Sequence, residues 1–230
     1  MSALLALGCG GAPLERATPP AAPEPLPPRR DADQIATQLV GAKITALIHV
    51  ARMRGHPLAP RIAKMDAWAG IFEDSGIEPL TDVDRAFVAA ADARDQENAM
   101  AVIEHHVDER TVKAALAKLV ARSGADGKWL QGYAFPAARV MVRERTSVGL
   151  AVTPTILVVT SDRLALGAAQ LSLSGGLPEP AGPEAVIADV AQPASTLRAR
   201  GVPPIPKSLS HAHATVTLVV ECIEPIVMHA

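Results

Sequence analysis

The chain reads as an α+β protein. The expected core is a mostly antiparallel sheet in the ferredoxin-like βαββαβ order with helices on one face, followed by a smaller C-terminal βαβ half-unit. Three observations predict it. Several short segments alternate apolar and polar residues with period two, two longer segments carry apolar residues at helical spacing and end on glycine, and the two kinds follow one another as strand, helix, strand, strand, helix, strand.

The first strand is "KITALIHVA", which sets Ile44, Ala46, Ile48 and Val50 on one face and Thr45, Leu47 and His49 on the other. A helix is expected over "HPLAPRIAKMDAWAGIFEDSG". Pro57 fits its first turn, Leu58, Ile62, Met65, Ala69 and Phe72 recur at helical spacing, Trp68 and Ile71 widen the apolar face, and Gly76 fits a left-handed stop. "DVDRAFVAAAD" and "NAMAVIEHHVD" are two strands joined by the polar "ARDQEN". Asp108 then caps a second helix through Val112, Leu116, Leu119 and Val120, which Gly124 ends. Beyond "GKWLQGYAFP", the segments "ARVMVRE", "VGLAVT" and "TILVVTS" are strands, and Ser161 is expected to cap a short helix over "DRLALGAAQL". The connector "LSLSGGLPEPAGPE" leads to strand "AVIADVAQP", helix "ASTLRARG" and strand "HATVTLVVE"; "AVIADVA" echoes "ALIHVA" as a weak internal repeat. The last nine residues, "CIEPIVMHA", are apolar for a chain end.

Composition bounds the class. With 49% apolar residues over 230 positions the chain can bury a real core, as one sizeable domain or two small ones. A formal charge of -2 with acids and bases intermixed gives no footprint for nucleic acid, so no nucleic-acid partner is expected. Aromatics at 3% leave few stacking platforms for bases or sugars. The two cysteines, Cys9 and Cys222, are expected to stay unbridged, because Cys9 precedes a long Pro-rich stretch and closing it onto the core would constrain little. No run approaches the roughly 20 apolar residues of a spanning helix.

The amino-terminal residues 1–9, "MSALLALGCG" up to Cys9, resemble the end of a bacterial lipoprotein signal. Leu7 and Gly8 fit the residues that precede a cysteine to be lipidated, while the basic region of a full signal is missing. Residues 10–32 are expected to be a Pro-rich disordered linker, reaching about 60 Å when extended. The folded part divides into an α+β domain over 33–173 and a strand-helix-strand half-unit over 174–230 packed on it. On this reading the partners are the lipid bilayer, through acylation of Cys9, and an envelope protein or ligand. The alternative is a plain disordered leader on a cytosolic protein.

With these motifs in place, "RGHPLAP", "GIEPLTDVDRAFVAA", "MAVIEHHV", "ALAKLVARSG" and "TILVVTS", covering roughly residues 40 to 165, resemble a group of lipoproteins of high-GC Gram-negative bacteria that has no known activity. The resemblance implies export and lipidation. It transfers no catalytic residue, and the chain departs from the group in its incomplete signal.

Three constellations could carry chemistry. His211 and His213 share a strand face and could reach one Zn²⁺ or Cu²⁺, with His105 (or His49) as a third ligand and His106 on the opposite face from His105. In "DVDR", Asp82 and Asp84 could form an acid/base pair, or Asp82 could make a turn while Arg85 neutralises the pair, the reading preferred here. Trp129, Tyr133 and Phe135, three of six aromatics, could be an exposed contact patch or, as preferred, a plug over the bare sheet face. Motifs for phosphate loops, nucleophile elbows and zinc proteases are missing, so no catalytic residue and no cofactor is assigned. The first expectation is therefore an exported, lipid-anchored binding or scaffolding domain. The second is a metal-binding or metal-dependent hydrolytic periplasmic protein, and the third a cytosolic domain.

Overall fold

The computed structural model describes residues 30–57, 59–63, 70–95, 97–142, 145–197 and 205–218. Cys9, the stretch over 10–29, the helix-face residues Leu58, Met65, Trp68 and Ala69, and the segment 219–230 with Cys222 lie outside them. Among the described residues, nine strands form one sheet: β1 (Ile44–Ile48), β2 (Val83–Ala90), β3 (Ala99–His105), β4 (Lys128–Trp129), β5 (Ala137–Val142), β6 (Arg145–Thr153), β7 (Ile156–Thr160), β8 (Val186–Ala191) and β9 (His211–Val216). Their order is β4-β5-β6-β7-β3-β2-β1-β8-β9, and every neighbouring pair is antiparallel. The α-helices among the described residues are α1 (Ala32–Val40), α2 (Ala59–Ala63), α3 (Pro79–Asp82), α4 (Glu109–Arg122), α5 (Asp162–Ala168) and α6 (Pro193–Thr196).

The α+β class and the antiparallel sheet are as the sequence predicts, but the strand order departs from the ferredoxin-like one. That order needs a helical crossover to deliver the second strand away from the first. Here residues 49–82 leave β1 and re-enter at the same end, so β2 lies directly against β1, with Leu47 opposite Phe87. β8 and β9 likewise pair antiparallel, Asp189 opposite His213, and the helix between them, α6, has four residues, too few to carry a parallel crossover. They continue the same sheet through β1.

Helices lie on both faces, where one covered face was expected. Strand alternation gives the reason. In β3, Met100 and Val102 point to one side and Ile103 to the other, all nearly inaccessible to water, and β2, β6 and β7 are apolar on both faces in the same way. Two apolar layers must then be covered. On the first, α1 and α5 lay Ile35, Ala36, Val40, Leu164 and Ala168 over Phe87, Val102, Leu150 and Val158. The second packs Val112, Ala115, Leu116 and Leu119 of α4 with Val50, Phe72 and Ile77 over Ala86, Ile103, Val140 and Leu157.

Local signals place the helices. Asp108 accepts a hydrogen bond from the backbone N–H of Thr111 (2.7 Å) and so caps α4, and Gly124 beyond its end has φ +57°. Ser161 precedes α5 but does not cap it, because its hydroxyl donates to the Glu97 carbonyl (2.7 Å). α1 was not foreseen. It runs from Asp31 to Gly41, whose φ of +64° ends it, and its buried residues Ala32, Ile35, Ala36 and Val40 have helical spacing.

The approach of α4 to the sheet depends on Gly149. A Cβ there would stand 2.8 Å from Cδ2 of the buried Leu116, so that side chain would have to shift. Leu116→Ala is expected to lower the stability to urea by about 2–5 kcal/mol. Gly149→Val, which overfills the same contact, should cost about 1–3 kcal/mol, with both variants read from equilibrium unfolding curves.

Candidate functional site

The "DVDR" residues end in three different places. Asp82 closes α3 by accepting from the backbone N–H of Glu78 (2.8 Å), the turn role expected of it. Asp84 accepts from Arg54 Nη2 (2.8 Å) and stands 3.1 Å from His106 Nδ1, and Arg54 also donates to the carbonyls of Leu80 (2.7 Å) and Val83 (2.8 Å). Burial pushes the Asp84 carboxyl up, but the hydrogen bonds from Arg54 and His106 outweigh it and hold the group below the ordinary aspartate value. Arg85 does not neutralise the aspartates. Consecutive strand residues point to opposite faces, so Arg85 leaves Asp84 behind and meets Glu104, its partner in register on β3. The Asp84 charge is met by Arg54 instead.

Around Arg85 the structure gathers a polar cluster that sequence reasoning did not assemble. Its Nε donates to Glu104 Oε2 (2.6 Å) and its Nη1 to Glu179 Oε2 (3.0 Å). The other Glu179 oxygen lies 2.9 Å from His49 Nε2 and accepts from Arg52 Nη2 (3.0 Å). His49 follows β1, Arg52 lies in the 3-10 turn Val50–Met53, and Glu179 stands in the connector between α5 and β8. Arg52 also donates to the carbonyls of Gly182, Glu184 (2.9 Å) and Pro180 (3.3 Å), strapping that connector to the sheet end. The hydrogen bond from His49, with the charges of His49, Arg85 and Arg52 behind it, holds Glu179 below the ordinary glutamate value against a smaller opposing effect of burial.

Of the expected metal ligands, the structure brings two together and leaves one out. His211 Nε2 and His213 Nδ1 lie 3.1 and 2.8 Å from the same oxygen, Asp189 Oδ1, on the exposed face of β8 and β9. These contacts, His213 first, hold Asp189 below its ordinary value. His105 cannot join them. It sits on β3, four strand positions from β9, about 19 Å at the usual strand spacing, and only 2% exposed. His49, the other candidate, is engaged with Glu179. Among the described residues, no three His, Cys, Asp or Glu side chains form a group able to hold a metal ion.

His105 is instead a buried imidazole whose charged form burial disfavours. Burial lowers its pKa, against a smaller raising effect of the Val107 backbone beside the ring. The aromatic trio also divides. Tyr133 and Phe135, ring centroids 5.7 Å apart, pack half-buried against the α1/α5 layer as a plug, while Trp129 in β4 lies exposed beside Lys113 and Ala117 of α4, so the three form no single patch.

No family model matches the chain. No curated protein matches it either. Among solved structures it is similar to crystal form IV of TP0453, with a TM-score of 0.42 and 10% sequence identity over 72% of this chain. The match spans 65% of that protein's chain, and a likeness this distant carries no argument about the site.

Two outcomes follow from the geometry. The unfolded chain protonates His105 near pH 6.5 while the folded chain resists doing so. Stability attributable to this residue is therefore complete above that pH and falls as pH drops from 7 towards 5, by up to about 1.4 kcal/mol per pH unit; urea midpoints of His105→Phe should show a shallower decline over that window. Arg85→Ala strands the half-buried Glu104 carboxylate and should cost about 1–3 kcal/mol, whereas His211→Ala should change stability by less than about 1 kcal/mol, as for exposed pairs.

Proposed function

We propose that this chain is an exported, lipid-anchored envelope lipoprotein whose α+β domain binds or scaffolds another envelope component without catalysing a reaction. The observation that carries the binding role is how the candidate reactive groups are spent. His106 and Arg54 meet on Asp84, His211 and His213 share Asp189, and Arg85 and Arg52 converge on Glu179. Asp84, Asp189 and Glu179 are each held as a hydrogen-bonded anion, an arrangement that favours rigid recognition over proton transfer at these three positions. The anchored location is supported by the sequence: Cys9 follows "LLALG" and precedes the Pro-rich stretch ahead of the fold. Stable attachment takes more than one acyl chain, which bacterial lipoprotein processing supplies. No helix among the described residues is long and apolar enough to cross a membrane, and a lipid on Cys9 would provide attachment without one.

The test is expression of the full chain in a bacterium with lipoprotein processing. Mass spectrometry should find an acylated cysteine at the mature amino terminus, and Cys9→Ser should move the protein from the membrane fraction to the soluble one. An unmodified terminus with the wild type already soluble would overturn the anchoring.

A further inference from the structure

The three donors that converge on Glu179 differ from it in one respect. His49, Arg52 and Arg85 have side chains only 11%, 26% and 19% exposed, and they come from the end of β1, the turn behind it and β2. Glu179 itself is 61% exposed and arrives from the connector. The donors are thus built into the sheet end and the acceptor lies at the mouth, as a bound ligand would. The charge count points the same way: Glu104 balances Arg85, so removing the Glu179 carboxylate leaves Arg52 half-buried without a counter-ion, next to two further donors already aimed at one carboxylate. The two oxygens of Glu179 divide the donors, His49 and Arg52 on one and Arg85 on the other, which is the two-sided capture that suits a planar carboxylate. Arg52 also grips the connector backbone at Pro180, Gly182 and Glu184, so the connector is held to the sheet end by contacts that do not involve the Glu179 side chain.

We propose that His49, Arg52 and Arg85 form a carboxylate-binding cradle that Glu179 fills in the free protein, and that an acidic side chain of a peptide segment in the partner takes its place on binding. The inference rests on the binding role proposed above and names the chemistry of the partner. Glu179 is then an internal competitor, and the apparent affinity for the outside carboxylate is reduced by the fraction of molecules in which the cradle is open.

The experiment is calorimetric titration of a tetraglutamate peptide into the full chain, wild type against Glu179→Ala and the isosteric Glu179→Gln, with thermal unfolding to establish that each variant is folded. The peptide should bind the two variants at least about tenfold more tightly than wild type, with an affinity that falls as salt is raised. Introducing Arg85→Lys into the Glu179→Gln chain keeps the charge opposite Glu104 and should remove most of the gain. Equal affinities for wild type and both variants would overturn the cradle. Inorganic phosphate bound by the variants as tightly as the peptide would overturn its assignment to carboxylates. Both failures leave the acylation of Cys9 to its own fractionation test, so the two proposals fall separately.

Discussion

The pairing of β3 with β7 holds the molecule together. Residues Met100 to Glu104 lie antiparallel to Thr160 back to Ile156, and this ladder joins the run β4 to β7 to the run β3, β2, β1, β8 and β9. Both strands are apolar on both faces, so the seam is covered above and below and its backbone groups have no access to water as an alternative partner. Because side chains alternate with period two, fixing this register decides which residues enter each layer: Met100, Val102 and Val158 go to the α1/α5 side, and Ile103 and Leu157 to the α4 side. A slip of one residue would exchange the two sets and send Glu104 and Arg85 to the wrong face.

The same alternation organises the polar chemistry. Asp84 and Arg85 are neighbours in the chain, yet each finds its partners on a different side of β2. One is bound by Arg54 and His106, the other by Glu104 and Glu179. His49, Arg85 and Glu104 stand at the same end of three adjacent strands, a row that needs the order β3-β2-β1. In the ferredoxin-like order β1 and β2 would not be neighbours, and this row would not form. The departure in topology is therefore also what creates the cluster.

Strands β1, β2, β3 and β5 to β7 were legible because each declares its alternation within seven or so residues, and α4 because Asp108 and Gly124 mark both its ends. The missed helix α1 carried its signal openly, with Asp31 before it, Gly41 after it and Ile35, Ala36, Leu39 and Val40 at helical spacing, but the reading of elements began only with the alternation from Lys43 onward and left this start of the domain without one. Strand order was not legible, because it depends on which end of the sheet the chain returns to between β1 and β2, and local pattern does not encode that choice. Glu179 was not legible for a similar reason. An acid between two prolines in a connector has the composition of solvated chain, and only the fold shows that three donors 94 to 130 residues away meet on it.

The point where the chain enters the fold has a mechanical consequence. Arg30 and Ala32 exchange backbone hydrogen bonds with Gly175 (3.2 Å) and Gly176 (2.8 Å), at the head of the connector that carries Glu179 three residues further on. Any load arriving through Arg30 is therefore shared by this two-bond stitch with α1, whose first residue Ala32 is buried, and with the connector, whose Leu177 packs into the same apolar layer. The leading end of the described residues is thus fastened to the interior from both strands of the stitch, and Glu179 lies two residues beyond the buried Leu177.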